Sequence, residues 1–128
     1  MRMAKTILAF ELAEEKRDKF KKICDKLEIN LIYISSEYYE QQLGALAAIK
    51  GFRMTKMRSK DEPFKIEMIV LSGINTDEID TFLKEYRKSG LEPIPLRAML
   101  TPHNIHWTPK KLHKELMIEH MMHKKLNK

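Results

Sequence analysis

Only one cysteine, Cys24, stands in the 128 residues. A lone thiol excludes an internal disulfide and a thiolate-rich zinc site, and it fits a reducing compartment. Glycine is scarce at 4 residues and proline at 5, too few for a collagen-like, low-complexity or wholly disordered chain. No apolar run exceeds six residues, so no segment reads as a membrane-spanning helix and no membrane partner is expected. The first residues, Met1-Arg2-Met3-Ala4-Lys5, lead into a short apolar run containing Glu11. They lack a long apolar region and a small-residue cleavage site, so no signal peptide is expected. Catalytic signatures are missing too. Spacing brings no nucleophile next to a base, and no Walker, dinucleotide, RNP, GXXG or helix-turn-helix pattern occurs.

What is present suits one folded domain. The composition is 43% hydrophobic and 33% charged, enough to bury a core without metal or cross-link. The net charge of +6 is uneven. Lys50–Lys65 carries six basic and two acidic residues, and Pro102–Lys128 carries the same numbers. Two segments of +4 suit an acidic partner such as RNA or DNA, and equally suit lysine-rich solvated faces.

Four strands alternate with helices. Thr6–Leu12, Ile29–Ile34 and Ile66–Leu71 are nearly continuous apolar runs, the pattern of strands covered on both faces in a parallel sheet. Ile94–Leu100 alternates instead, and Pro95 assigns it to a sheet edge. Helices are predicted at Glu14–Leu27, at Ser36–Lys50, from an Asn75 cap with Glu78 at the capping-box position, and from Thr108-Pro109 onward. The terminal helix is expected to turn Leu112, Leu116, Met117 and Met121 inward.

The fold class is therefore α/β: a four-stranded, mostly parallel sheet from two βαβα units, with helices on both faces and strand order 2-1-3-4. One domain is expected, with halves 1–50 and 66–128 and a basic, mobile linker 51–65 between them. The halves align at an offset of 62, with Phe20 on Phe82, Cys24 on Tyr86, Ile32 on Ile94 and Ile34 on Leu96, which suggests an internal duplication. Placing strands one and three side by side creates a switch point where open α/β sheets bind ligands.

The second half contains Ala98, Leu100, Thr101, Pro102, Asn104 and Trp107 in an A-x-L-T-P-x-N-x-x-W segment, before a helix that includes Glu115-Leu116. This resembles a bacterial family of small proteins classed as a domain of unknown function. Glu37-Tyr38, Gln42-Leu43-Gly44 and the linker after Gly51 look like that family's full-length form. The resemblance implies a bacterial cytosolic protein and supplies no activity.

Candidate ligand-binding residues are Ser72, Gly73 and Asn75 at a strand-to-helix turn, and Thr101, Asn104 and Trp107 in the shared segment. The first group suits an anion at a helix N-terminus, or a tight turn into a capped helix. The second suits a polar ligand stacked on an indole, or a turn plugged into the core. Candidate nucleic-acid residues are Arg53, Lys56, Arg58, Lys110 and Lys111. All five histidines follow position 102. His113, His120 and His123 have spacings that allow imidazole ligation, but they read as solvated, and Cys24 reads as a packing thiol. No catalytic residue, metal or cofactor is expected.

The leading function is a non-enzymatic binding or regulatory module with an unknown ligand or protein partner. The alternatives are a nucleic-acid-associated protein and a small-molecule enzyme at the switch point. The apolar second strand and the apolar excess on the terminal helix, at Ile118, Met122 and Leu126, point to a homodimer.

Overall fold

The computed structural model describes residues 4–126, with side chains described as far as Lys124. Four strands, β1 (Thr6–Phe10), β2 (Asn30–Ile34), β3 (Met68–Ser72) and β4 (Leu96–Met99), form one sheet in the order β2-β1-β3-β4. β1 pairs with β2 and β3 with β4 in parallel. The central pair β1–β3 runs antiparallel, with Leu8 opposite Val70. The expected order and mostly parallel character therefore hold, but the expected switch-point crevice does not form. The carboxyl end of β1 lies beside the amino end of β3, Phe10 facing Met68. The apolar runs of β1 and β3 mark strands buried on both faces but carry no information about direction; β2, expected to be covered likewise, leaves Ile32 and Tyr33 exposed because it lies at the sheet edge. Here β2 ends and β3 begins at the same end of the sheet, so the connection between the halves returns to the end it leaves from.

One face is covered by α1 (Glu14–Lys26) and α3 (Thr76–Lys88). Phe20, Ile23 and Cys24 meet Phe82 and Tyr86 over Ile7, Ala9, Ile69 and Leu71. Burial pushes the Cys24 thiol up to about 12, with Asp25 adding to the shift and Lys21 opposing it, as befits a packing group. Asn75 caps α3 through a complete capping box: Glu78 N donates to Asn75 Oδ1 (2.9 Å) and Asn75 N donates to Glu78 Oε1 (3.1 Å).

β3 and α3 begin 62 residues after β1 and α1. Left-handed backbone recurs at the same offset: Glu11 (φ 57°) and Gly73 (φ 70°) follow the first strands, and Glu28 (φ 57°) and Gly90 (φ 78°) follow the helices. The glutamates take this conformation at roughly 1 kcal/mol each, which glycine avoids. The offset fails at the last strands. Thr6 faces Asn30, whereas Met68 faces Leu96, so the second crossover is four residues longer. Ile32 and Ile94 are not equivalent, nor are Ile34 and Leu96.

The other face is covered by a 3₁₀ turn (Ser36–Tyr38), a single helical turn α2 (Leu43–Leu46), α4 (Pro109–Leu126) and the segment 51–65. The expected helix Ser36–Lys50 is broken because tertiary hydrogen bonds replace helical ones. Leu43 N and Gly44 N donate to Trp107 O (2.8 Å) and Ile105 O (2.9 Å), and Ala48 is left-handed (φ 58°). Gly44 is also pressed so close to Ile105 and Phe52 that a Cβ would lie 2.8 Å from each.

The segment 51–65 has no regular structure, yet it is tethered as a strap rather than left as a free linker. Buried Gln41 holds it: Nε2 donates to Thr55 O and Met57 O, and Thr55 N donates to Oε1, each at 2.9 Å. Farther along, Phe64 stacks between Tyr39 (4.0 Å) and His113 (3.8 Å), and the Tyr39 hydroxyl donates to Glu11. Gln41→Leu is expected to free the strap and to speed tryptic cleavage at Arg53, Lys56 and Arg58 about tenfold or more. An unchanged cleavage rate would show that Gln41 does not hold the strap.

His113 is half-buried against Phe64 and meets Ile66 O at 3.0 Å through Nε2, which corrects the expectation that it is solvated. Burial holds its pKa below the ordinary 6.5, against the opposing hydrogen bond to Ile66. The unfolded chain therefore binds the proton more readily. Stability is expected to be complete above about pH 6.5 and to fall as pH drops below it. Urea unfolding of the wild type and His113→Phe between about pH 7.5 and 5 checks this. The two should diverge at neutral pH and converge in acid, and parallel curves would refute it.

Thr108 caps α4 by accepting Lys111 N (3.1 Å), and Leu112 is buried while Leu116 and Met117 are half-buried. Met121, expected to face inward, is 63% exposed. Among the described residues Met117 is the last apolar side chain of α4 to reach the core. The side chain of Leu126 lies outside the described residues.

Candidate functional site

The Thr101–Trp107 segment is tied down mainly by its own hydrogen bonds. Asn104 is buried; its Oδ1 accepts Thr101 N (2.9 Å) and its Nδ2 donates to Met99 O (2.9 Å). Thr101 Oγ1 accepts the amides of His103 and Asn104, both at 3.2 Å. Trp107 is half-buried against the core, with the Lys111 ammonium 4.7 Å from its ring centroid and His103 edge-on at 5.2 Å. Its carbonyl, with that of Ile105, supplies the bonds that break the Ser36–Lys50 helix. The segment therefore clamps the first half of the chain to the second.

Ser72 lies within β3 opposite Thr6, and its Oγ has no hydrogen-bond partner among the described residues. Gly73 makes the left-handed turn. Asn75 is occupied by the capping box, whose Glu78 carboxylate also meets Lys5 at 2.7 Å. A carboxylate thus already occupies the helix N-terminus where an anion would sit.

The basic candidates are partly engaged. Lys110 pairs with Asp61 (3.1 Å), an ion pair that brings the strap to the start of α4. The hydrogen bond from Ser59, and then Lys110, holds the Asp61 carboxyl below its ordinary range. The Arg58 guanidinium lies 4.9 Å from the Tyr38 ring centroid and Lys111 covers Trp107, while Arg53 and Lys56 are exposed.

Two features escaped the sequence reading. The first is a buried ion pair. Lys16 Nζ lies 2.6 Å from Glu67 Oε1 and donates to Glu92 O (3.1 Å), and Glu67 Oε2 accepts Ala13 N (2.8 Å). The Tyr86 hydroxyl donates to Glu92 O as well. Burial, followed by Glu67, pushes the Tyr86 phenol up to about 12, with Arg97 opposing. Lys16 and Tyr86 thereby fix the loop that leads from α3 into β4.

That loop forms one wall of the second feature, a groove between α3 and the β4 edge. A cavity of about 320 Å³ is lined by Leu91, Pro93, Ile94, Tyr86 and Arg87. A second, of about 190 Å³, is lined by Leu71, Ile79, Ala98 and Met99. The two share Ile69, Phe82, Leu83 and Arg97 and so adjoin as the two sections of one groove. The groove follows from the alternation of β4. Leu96 packs on the α4 face, leaving Arg97 and Met99 on the α3 face beyond the reach of α3. The guanidiniums of Arg87 and Arg97 make no hydrogen bond or ion pair among the described residues. At the opposite edge Arg17 lies over Tyr33, 4.8 Å from the ring centroid.

No curated protein and no solved structure matches the chain. Residues 67–122, which span β3, α3, β4 and most of α4 and carry every lining residue of the groove, match the family model described as Domain of unknown function (DUF3783).

Proposed function

We propose that the chain is a non-enzymatic binding module of a bacterial cytoplasm, and that its ligand site is the groove between α3 and β4. One observation carries the reading: an uncovered apolar groove flanked by two guanidiniums that make no hydrogen bond or ion pair among the described residues. Concave, mostly apolar sites with a few placed polar groups are the usual form of small-ligand pockets. The buried Cys24 is in keeping with a reducing compartment. A neutral solvatochromic dye tests the reading. The wild type is expected to bind it saturably, and Leu83→Glu, which places a carboxylate in the channel, is expected to weaken binding tenfold or more while retaining the fold. Equal binding by both proteins would remove the groove as the site.

The competing reading, a nucleic-acid-associated protein, rests on Arg53, Lys56 and the cations around Trp107. Retention on heparin that falls steeply with salt would favour it. We also propose self-association through Ile118, Met121 and Met122, all exposed on α4. Ile118→Glu with Met122→Glu should then convert a sedimenting dimer to a monomer; a wild type that sediments as a monomer at tens of micromolar would exclude it. We also propose an internal duplication, supported by the 62-residue offset of the first strand, first helix and left-handed residues of each half. Homologues in which those positions drift independently would count against it.

A further inference from the structure

We infer that the groove between α3 and β4 takes a single-chain amphiphile with an anionic head, of the class of medium-chain carboxylates. This rests on reading the groove as a binding site and adds the chemistry of its occupant. The channel is elongated, running from Leu91 and Pro93 past Arg97 to Ile79 and Met99, which suits a chain better than a fused ring system. Its far section is lined by Ile69, Leu71, Ile79, Phe82 and Leu83, with no polar side chain except Arg97. The Tyr86 hydroxyl is already committed to Glu92 O. The inserted part of the ligand therefore finds no polar side chain beyond the guanidinium, which favours hydrocarbon.

The head is set by charge. Arg87 and Arg97 are the ionisable groups of the near section apart from the Tyr86 phenol, and no carboxylate lines either section. Both guanidiniums are exposed and without a hydrogen-bonding or ionic partner among the described residues. A planar fork of donors matches a carboxylate in both geometry and sign. A carboxylate at Arg87 and Arg97 directs its tail into the far section of about 190 Å³, toward Ile79 and Met99.

Calorimetric titration of the intact protein with hexanoate, octanoate, decanoate and decanol, below their aggregation limits, tests the inference. Affinity is expected to rise about fourfold per methylene until the channel is full. Decanoate should bind at least tenfold more tightly than decanol. Arg87→Gln/Arg97→Gln should bring decanoate down to the level of decanol without altering decanol binding, and a thermal melt confirms that the variant is folded. If decanol and decanoate bind alike and the variant changes neither, the ligand class is wrong while the groove remains a binding site. If no chain binds while the dye still binds and Leu83→Glu weakens it, the ligand class is wrong and the groove stands; if the dye also binds wild type and Leu83→Glu alike, both readings fail. Decyltrimethylammonium binding as tightly as decanoate would also overturn the anionic head.

Discussion

Glu67→Ala is expected to destabilise the protein by about 3–5 kcal/mol, because it strands a buried ammonium. Lys16 would keep only Glu92 O, and Ala13 N at the start of α1 would lose its acceptor. The partners come from α1, from the residue just before β3 and from the loop before β4, so one substitution loosens three elements. Chemical denaturation at neutral pH measures the loss. The double replacement Lys16→Met/Glu67→Met separates charge from packing. Apolar groups of similar volume often equal or exceed a buried pair in stability, so the double variant should be markedly more stable than Glu67→Ala. A single variant within about 0.5 kcal/mol of wild type would show the pair to be solvated.

Trp107→Ala is expected to cost about 3 kcal/mol, the lower end for truncating a large aromatic, since the indole is half-buried. The cavity would open at the margin of the core cluster to which Leu112 and Leu116 also belong. Circular dichroism in urea gives the change. A shift under about 0.5 kcal/mol would mark Trp107 as exposed surface and restore it as a stacking platform. The Trp107 carbonyl survives the substitution, so its bond from Leu43 N is retained and the expected loss is one of packing.

Strand order, edge placement and the α1 and α3 boundaries were legible because each rests on a local pattern. Asn75 with Glu78 marks a helix start whatever surrounds it, and Pro95 disfavours a central strand. The orientation of β1 against β3 was not legible, since Leu8 and Val70 are buried either way. The Ser36–Lys50 pattern misled because Leu43, Leu46 and Ala47 are spaced for a helix, yet the amides of Leu43 and Gly44 are claimed by a segment sixty residues away. Gln41 and the Lys16–Glu67 pair looked like ordinary surface residues, because burial of a polar group depends on distant partners.

The candidate site was legible in one feature only, the alternation of Pro95, Arg97 and Met99 along an edge strand. That pattern says one face of β4 is uncovered. It does not say that Arg87 converges on the same rim, which requires the register of α3 against the sheet. The Thr101–Trp107 segment was visible as a unit. Its hydrogen bonds within the chain, above all those of Asn104 to Thr101 N and Met99 O, became apparent only in three dimensions.

The antiparallel pairing of β1 with β3 also bears on how the chain folds. Each βαβ unit closes over a short stretch, with Thr6 meeting Asn30 and Met68 meeting Leu96. The seam between the units joins residues such as Leu8 and Val70, separated by nearly half the chain. Loop closure across that distance lowers chain entropy before any burial offsets it. The units can therefore gain structure early and independently. Zipping of the central ladder, together with docking of the Thr101–Trp107 clamp onto α2, is the non-local event expected to limit the folding rate.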